Sequence, residues 1–533
     1  MEERMLFNVF EIIAVTLSCM AASIHCVHIF QMERYQMPVY SQWLKQSRER
    51  FVQKYVVVGV IAAVARWYLP MLFSLFSSVE SARNAAAGWV TLIGFAIAVT
   101  VLTLREIRMP MKRPLVLTMR AKRLFGALAV LYAVLILFLR ILGTPAIYLA
   151  YITAPYAVWL AGRLMQPVEE KINNGFYEEA RTKLRDRKDL IKIGITGSCG
   201  KTMTKFILKE LLSVKYEVLA TPASFNTAMG ISRVVNDQLE DKHQVFIAEM
   251  GAQRGGDIKH LVKLVKPQYG MITSIGDQHL DSFGSMANIA ETKYELIDGL
   301  PQDGMAFFAA DSGYTDRLYG MCKLEKYSAS VNHEGDHFMR ASELTIGAEG
   351  TEFLLECADG GRVRCKTRLL GRLNVQNIAL AAALARKLGL TMEEIAEGVE
   401  RLQSFEHHLQ LIAGGDQVII DDTLNDRPLG AAEALNVLSE CPGRRIIVTS
   451  GIPQEAKGED VNYAFGVQMK DCVDGVILVG EKKKVQPIGR GLVSTGFPKS
   501  SIRMVADLND AEELLATMTG AGDTVLYEGE FQE

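Results

Sequence analysis

The sequence predicts a helical multi-span membrane domain followed by two α/β domains, the first carrying a phosphate-binding loop. Three observations lead there. Apolar runs fill the first 165 residues, and the stretch "KIGITGSCGKTMTK" (192–205) then sets glycines between a short apolar lead and a helical pattern. From 404 onward, short apolar runs alternate with helical segments, the pattern of an open α/β sheet. A chain of 533 residues also exceeds one core, since domains hold about 100–200 residues.

The chain carries 58 Lys and Arg against 61 Asp and Glu, a net charge of −3. That balance excludes a general nucleic-acid binder, which would show a basic face. The eight cysteines are scattered without a C-x-x-C pair, so they read as free thiols of a reducing compartment.

The membrane domain is expected at 1–165, with about five helices drawn from apolar runs at 6–30, 54–77, 88–104, 124–142 and 145–164. Several hold the 17–25 apolar residues that cross about 30 Å of hydrocarbon. The first also carries Glu11, His25 and His28, and no span is charged enough to read as a transport path. Segments 31–53 and 105–123 are rich in Lys and Arg, whereas 78–87 holds only Arg83 and 143–144 none. The basic segments face the cytoplasm. An odd number of spans then leaves the N-terminus outside and everything after 165 inside, where ATP is. Plain anchoring accounts for such a domain; binding of a lipid-linked substrate is the sharper alternative. A charged connector helix is expected at 166–189.

A strict Walker A loop needs glycine six places before its lysine, and position 195 is Ile. The spacing here is G-x-x-G-x-x-G-K-T. Its physics survives: Gly197 and Gly200 let backbone N–H groups face phosphates, Lys201 adds a point charge, Thr202 offers a hydroxyl to Mg²⁺, and a helix N-terminus points at the anion.

This loop, with the motifs after it, resembles the Mur ligase family, which joins a carboxylate to an amino group using ATP. The likeness covers 190–533 and is greatest to the type that adds D-alanyl-D-alanine, in a membrane-anchored variety. It implies a central P-loop ATPase-like domain at 190–403 and a C-terminal Rossmann-like domain at 404–533. "TPASFNTAMG" (221–230) resembles the loop facing the acceptor and γ-phosphate, with Asn226 as the contact. "FIAEMGAQRGGDI" (246–258) matches the strand whose Glu, here Glu249, holds Mg²⁺. In "ITSIGDQHLDSFGSMANIAETKYEL" (272–296), His279 matches the metal-site histidine and Lys293 the lysine that carries a carbamate toward a second Mg²⁺. Asn374 and Asn377 match asparagines near the adenine, although Asn374 also suits a helix N-cap. Asp422 and Asn425 match the residues that contact the ribose and order the domain junction.

The implied chemistry makes the set coherent. A carboxylate becomes an acyl phosphate, with Lys201 and two Mg²⁺ neutralising the transferring group. Thr202 and Glu249 hold one ion, and His279 with carbamylated Lys293 the other. The catalytic set is therefore Lys201, Asn226, His279 and Lys293.

Departures from the family limit the likeness. His408 stands where relatives have a phosphate-sensing Arg, and it lacks the guanidinium's bidentate fork and constant charge. The loop 449–458 lacks an acidic-Leu-Gly ending near the amine site, and membrane spans replace the N-terminal domain that binds a UDP-linked acceptor. The expected activity is an ATP-dependent amide ligase at the cytoplasmic face of the cell membrane. It would join an amino acid or dipeptide to a nucleotide- or lipid-linked envelope precursor, alongside cell-wall synthesis proteins and without nucleic acid. The alternatives are a ligase for another envelope polymer or polyamino acid, and a decayed ATP-binding membrane scaffold.

Overall fold

The computed structural model of the chain describes residues 2–46, 53–108, 114–222, 225–276, 280–310, 313–331, 335–347, 350–414, 417–423, 428–452 and 458–531. It divides into two compact units, residues 1–175 and 176–533.

The first unit is helical: α1 (Glu2–Met32), α2 (Met37–Gln46), α3 (Gln53–Phe73), α4 (Glu80–Ile107) and α5 (Met119–Ile141), then a 3₁₀ segment (Thr144–Thr153) and α6 (Ala154–Asp186). Among the described residues, four helices are long and apolar enough to cross a membrane: Leu6–Met32, Lys54–Phe73, Ala82–Ile107 and Met119–Ile141. The fifth apolar run, 145–164, departs from expectation. It is no helix of its own, because the ten residues Thr144–Thr153, with Pro145 at their start and Pro155 just after their end, wind as 3₁₀ before α6 takes over. Ile147, Tyr148 and Tyr151 are buried among the neighbouring helices.

The broken run still retraces α5. At the end of α5, Arg140 bonds Thr144; at its start, Arg123 Nε and Nη2 donate to Glu169 at 2.7 and 2.8 Å. Two further ion pairs lie inside this unit, Arg66 Nε to Glu11 Oε1 at 3.1 Å and Lys54 Nζ to Glu106 Oε1 at 2.7 Å. The sequence shows these charges only singly. In space each is paired, which is how a charge is tolerated among apolar helices.

The second unit holds two sheets. The first interleaves β1 (Ile191–Thr196), α7 (Lys201–Leu212), β2 (Val218–Ala220), α8 (Ala228–Gln238), β3 (Val245–Glu249), α9 (Asp257–Val265), β4 (Tyr269–Ile272), α10 (Leu280–Phe283), α11 (Met286–Asp298), β5 (Met305–Ala309), α12 (Gly313–Met321) and β6 (Glu325–Val331). It closes with β7 (Met339–Gly347), β8 (Gly350–Cys357), β9 (Arg362–Thr367), α13 (Arg372–Lys387) and α14 (Met392–Glu400). The strand order is β2-β3-β1-β4-β5-β6-β7-β8-β9, parallel through β7 and antiparallel beyond.

Strands β1, β3 and β4 are almost continuously apolar because helices cover both faces of the sheet. Ile207, Leu211 and the alanines of α13 pack on one face. Ile231, Ile258, Leu296 and the end of α6, through Ala180 and Leu184, pack on the other. The chain leaves β1 for β2 and β3 on one side, then crosses to β4 on the other. That reversal opens a crevice at the carboxyl ends of β1, β3 and β4, where open α/β sheets bind ligands.

The second sheet contains β10 (Gln410–Gly414), β11 (Gln417–Asp422), β12 (Arg445–Thr449), β13 (Gly475–Val479), β14 (Ile502–Val505) and β15 (Thr524–Glu528). Its order is β10-β11-β15-β12-β13-β14, parallel except for β10. Helices α15 (Pro428–Glu440), α16 (Gly458–Gln468), α17 (Lys482–Ser494) and α18 (Leu508–Met518) complete it. This is the open α/β sheet the sequence predicts.

Candidate active site

The loop between β1 and α7 lies in the crevice and is laced to the segment after β4. Ser198 N donates to Ser274 O at 2.7 Å, Cys199 N to Ser274 Oγ at 2.9 Å, and Thr273 Oγ1 to Cys199 O at 2.5 Å. Two glycines make this approach possible. Gly197 has φ 153°, and a Cβ there would sit 2.0 Å from Thr273 Oγ1. Gly200, with φ 80°, caps α7 and would press a Cβ to 2.7 Å from Asn377 Oδ1. Lys201 Nζ folds back on the loop, donating to Gly197 O at 2.7 Å and Ser198 O at 2.9 Å.

Glu249 is the hub. It ends β3, is buried, and draws three donors, two from α7 and one from the loop before α8: Thr202 Oγ1 at 3.0 Å, Lys205 Nζ at 2.9 Å and Asn226 Nδ2 at 3.0 Å. Asn226 is itself pinned, since its carbonyl accepts from Gly251 N at 2.9 Å. Sequence reasoning missed Lys205. Its signal was present: four places after Lys201 on α7, it turns a charge toward the same strand end.

Lys293, on α11, is also buried. Burial, and secondarily the Lys201 charge, pull its pKa from the usual lysine range down to about 7, against the opposing pull of Asp257. A large share of its amine is therefore uncharged at neutral pH.

The remaining predicted residues divide. Asn377 packs behind the loop, its Oδ1 accepting from Thr204 Oγ1 at 3.1 Å and lying against Gly200. Asn374 donates to Leu370 O at 2.7 Å, within the first turn of α13, whose N-cap is Gly371. Asp422 ends β11, buried, and accepts from Leu409 N at 2.9 Å. Its register partner on β15 is Glu528, whose pKa is pushed up to about 10 by burial and by the Asp422 charge. His408 is exposed, whereas His407 meets Asp421 Oδ2 at 2.7 Å. His279 and Asn425 lie outside the described residues.

Among the described residues, no three His, Cys, Asp or Glu side chains cluster as a metal cage. Thr202 and Glu249 nonetheless fit Mg²⁺: a hydroxyl and a carboxylate, 3.0 Å apart, beside a phosphate-type loop. Mg²⁺ takes few protein oxygens and completes its shell from phosphate and water.

Residues 195–385 match the Mur ligase middle domain, and residues 407–531 match the Mur ligase glutamate ligase domain. The chain belongs to the Mur ligase family. Mur ligases are ATP-dependent enzymes that form peptide bonds, and both matched domains follow the helical unit. Among similar proteins is the UDP-N-acetylmuramoyl-tripeptide–D-alanyl-D-alanine ligase of Escherichia coli K12. It is 27% identical over 336 residues, covering 62% of this chain and 73% of the relative. The Bacillus subtilis 168 ligase of the same name is 27% identical, covering 63% and 72%.

Solved structures agree on the fold. Acinetobacter baumannii MurF superposes with a TM-score of 0.59 at 25% identity, covering 67% of this chain and 78% of that one. MurF ligase of Thermotoga maritima, in complex with ADP, gives a TM-score of 0.58 at 24% identity, covering 67% and 80%. The expected resemblance is thus correct for both α/β domains of this Mur ligase.

Proposed function

We propose that this Mur ligase joins an amino acid or dipeptide to a cell-envelope precursor through an acyl phosphate, in the manner of the D-alanyl-D-alanine-adding type. One observation carries the reading. Thr202, Lys205 and Asn226 converge on Glu249, beside a phosphate-type loop and a buried lysine with pKa about 7.

Each side chain has a task in that chemistry. Lys201 exchanges its two loop carbonyls for phosphate oxygens when ATP enters. The α7 N-terminus and the Gly200 N–H face the same anion, while Ser198 N and Cys199 N tie the loop to Ser274. Thr202 and Glu249 would hold one Mg²⁺, and His279 with carbamylated Lys293 a second; such ions would supply positive charge to the transferring phosphoryl group. Asn226 orients the acceptor carboxylate toward the γ-phosphate. The carbamate forms when the free amine of Lys293 attacks CO₂, making an N–C bond and releasing one proton. Asn374, Asn377, Asp422 and Asn425 keep the adenine- and ribose-side roles that the family likeness assigns.

The helical unit anchors the enzyme as a multi-pass membrane protein. Five crossings are proposed, the fifth being the broken run from Thr144 into α6. A 3₁₀ segment of ten residues rises about 20 Å. The following turns of α6, to about residue 164, add roughly 16 Å, enough together for a hydrocarbon core of about 30 Å. Five crossings put the catalytic domains on the side of the basic segments 31–53 and 105–123, the cytoplasm. A lipid-linked acceptor suits that anchor; a nucleotide-linked one is the alternative.

The test is phosphate release from ATP by the detergent-purified chain, with UDP-linked and polyprenyl-linked peptide acceptors offered in turn. Release that requires both an acceptor and an amine supports the reading. Tight ATP binding without turnover on any acceptor replaces the ligase with a scaffold. A protease-accessible C-terminus outside intact cells overturns the topology.

A further inference from the structure

We infer that the helical unit holds a binding site for the phosphate headgroup of a bilayer lipid, at the end away from its basic segments. This inference rests on the membrane placement proposed above. A cavity of about 690 Å³ lies elsewhere, against α11 and α12; the one at issue is larger, about 1180 Å³, and is enclosed by the starts of α1 and α4 and the ends of α3 and α5.

The charge of the lining points to an anion. Arg66 and Arg140 both line the cavity, joined by the polar side chains of Asn8, Asn84 and Thr144. No Asp or Glu is among the described lining residues. The two arginines differ in what compensates them. Arg66 is neutralised from behind by Glu11, which also accepts from Tyr148 Oη at 3.0 Å. Arg140 meets the Thr144 hydroxyl and, among the described contacts, no carboxylate. An arginine here is also out of pattern, because the connecting segments at this end, 78–87 and 143–144, contribute only Arg83. A guanidinium at an apolar surface calls for an anionic partner with oxygens in its fork geometry, and phosphate supplies them.

The walls distinguish a lipid from a soluble anion. Phe10, Trp67 and Trp89 line the same cavity and stay 51%, 66% and 45% exposed. Two indoles and a phenyl ring beside a cation suit a molecule with a charged head and apolar chains, at the depth where tryptophan settles in bilayers. Inorganic phosphate would use the arginine and leave the aromatic walls idle. The headgroup end of an anionic phospholipid uses both.

Tryptophan quenching tests this directly. The chain has four tryptophans, so Trp43→Phe with Trp159→Phe leaves Trp67 and Trp89 as reporters. This parent is reconstituted into phosphatidylcholine vesicles containing a minor fraction of either brominated phosphatidylglycerol or brominated phosphatidylcholine. The expected result is at least threefold more quenching per brominated lipid for phosphatidylglycerol. Arg140→Gln should equalise the two lipids, and Arg140→Lys should keep a preference. Asn84→Asp, which sets a carboxylate in the cavity, should abolish the preference and serves if Arg140→Gln does not fold. Equal quenching in the parent, or an unchanged preference in both Arg140→Gln and Asn84→Asp, overturns the site. Relief of quenching by millimolar inorganic phosphate overturns the lipid assignment in favour of a soluble anion. Absence of quenching by either lipid instead overturns the membrane placement on which the site depends.

Discussion

Lys205 Nζ lies 2.9 Å from Glu249 Oε2, with the two side chains only 5% and 1% exposed. The lysine sets a positive charge against the hub carboxylate in the buried strand end. Removing one partner of a buried pair strands the other charge, at a cost of about 3–5 kcal/mol. Lys205→Ala should fall near the low end, because Thr202 and Asn226 still donate to Glu249. Adding Glu249→Gln should recover most of that stability while leaving the enzyme inactive. Thermal melts of the purified chain check both, and a wild-type midpoint for Lys205→Ala would show the pair to be energetically idle.

The loop glycines should fail in order of crowding. A methyl at Gly197 meets Thr273 Oγ1 at 2.0 Å, whereas one at Gly200 meets Asn377 Oδ1 at 2.7 Å. Both positions also require positive φ, which costs a residue with a Cβ about 1–2 kcal/mol. Gly197→Ala should raise the KM for ATP more than Gly200→Ala, each by roughly tenfold or more for about 1.4 kcal/mol of lost binding. Pairing Gly200→Ala with Asn377→Ala should restore part of the affinity. Steady-state kinetics at varied ATP decides, and no rescue would mean that Asn377 is not what the methyl strikes.

Lys293 makes a prediction with a definite sign. Its folded pKa of about 7 lies below the ordinary value of 10.5, so the unfolded chain binds more protons between those limits. Stability from this group therefore rises with pH across that window. In CO₂-free buffer, Lys293→Met should stabilise the protein by about 2–4 kcal/mol at pH 6.5 and by little at pH 10. The same variant should lose activity by about a hundredfold or more. Lys293→Ala should regain turnover with short-chain carboxylic acids, which replace the carbamate oxygens. Failure of that rescue, with full wild-type activity in Lys293→Ala, removes the carbamate from the mechanism.

What could be read from the sequence depended on how locally each feature is written. The Gly197–Gly200 loop, the Glu249 strand end and the strands of the second sheet sit in contiguous motifs, where spacing and periodicity act over a few residues. Lys205 is harder to read, because its spacing from Lys201 gives a shared helix face but not the partner carboxylate 44 residues later. The contact of Asn377 with Thr204 has no local signal, because the two side chains meet across 173 positions. The break inside the 145–164 run has no hydropathy signal, because hydropathy does not register two prolines ten residues apart. Glu528 gave no sequence signal at all, since its neighbour Asp422 is supplied by a different strand.

That pair yields the last prediction. The Glu528 side chain is wholly buried, and its carboxyl pairs with that of Asp422, a contact that favours the protonated acid. Its folded pKa of about 10, against an ordinary 4.5, means that the folded protein holds the proton more tightly. The sign follows from the raised value: the stabilising contribution is complete below pH 4.5 and is lost as pH climbs toward 10. Glu528→Gln keeps the shape of the protonated acid and cannot ionise. It should be more stable than wild type by about 1–4 kcal/mol at pH 8, with the gain shrinking to nothing near pH 4. Urea unfolding at the two pH values measures this. A variant less stable than wild type at pH 8 would mean that a cation, rather than a proton, sits between Glu528 and Asp422.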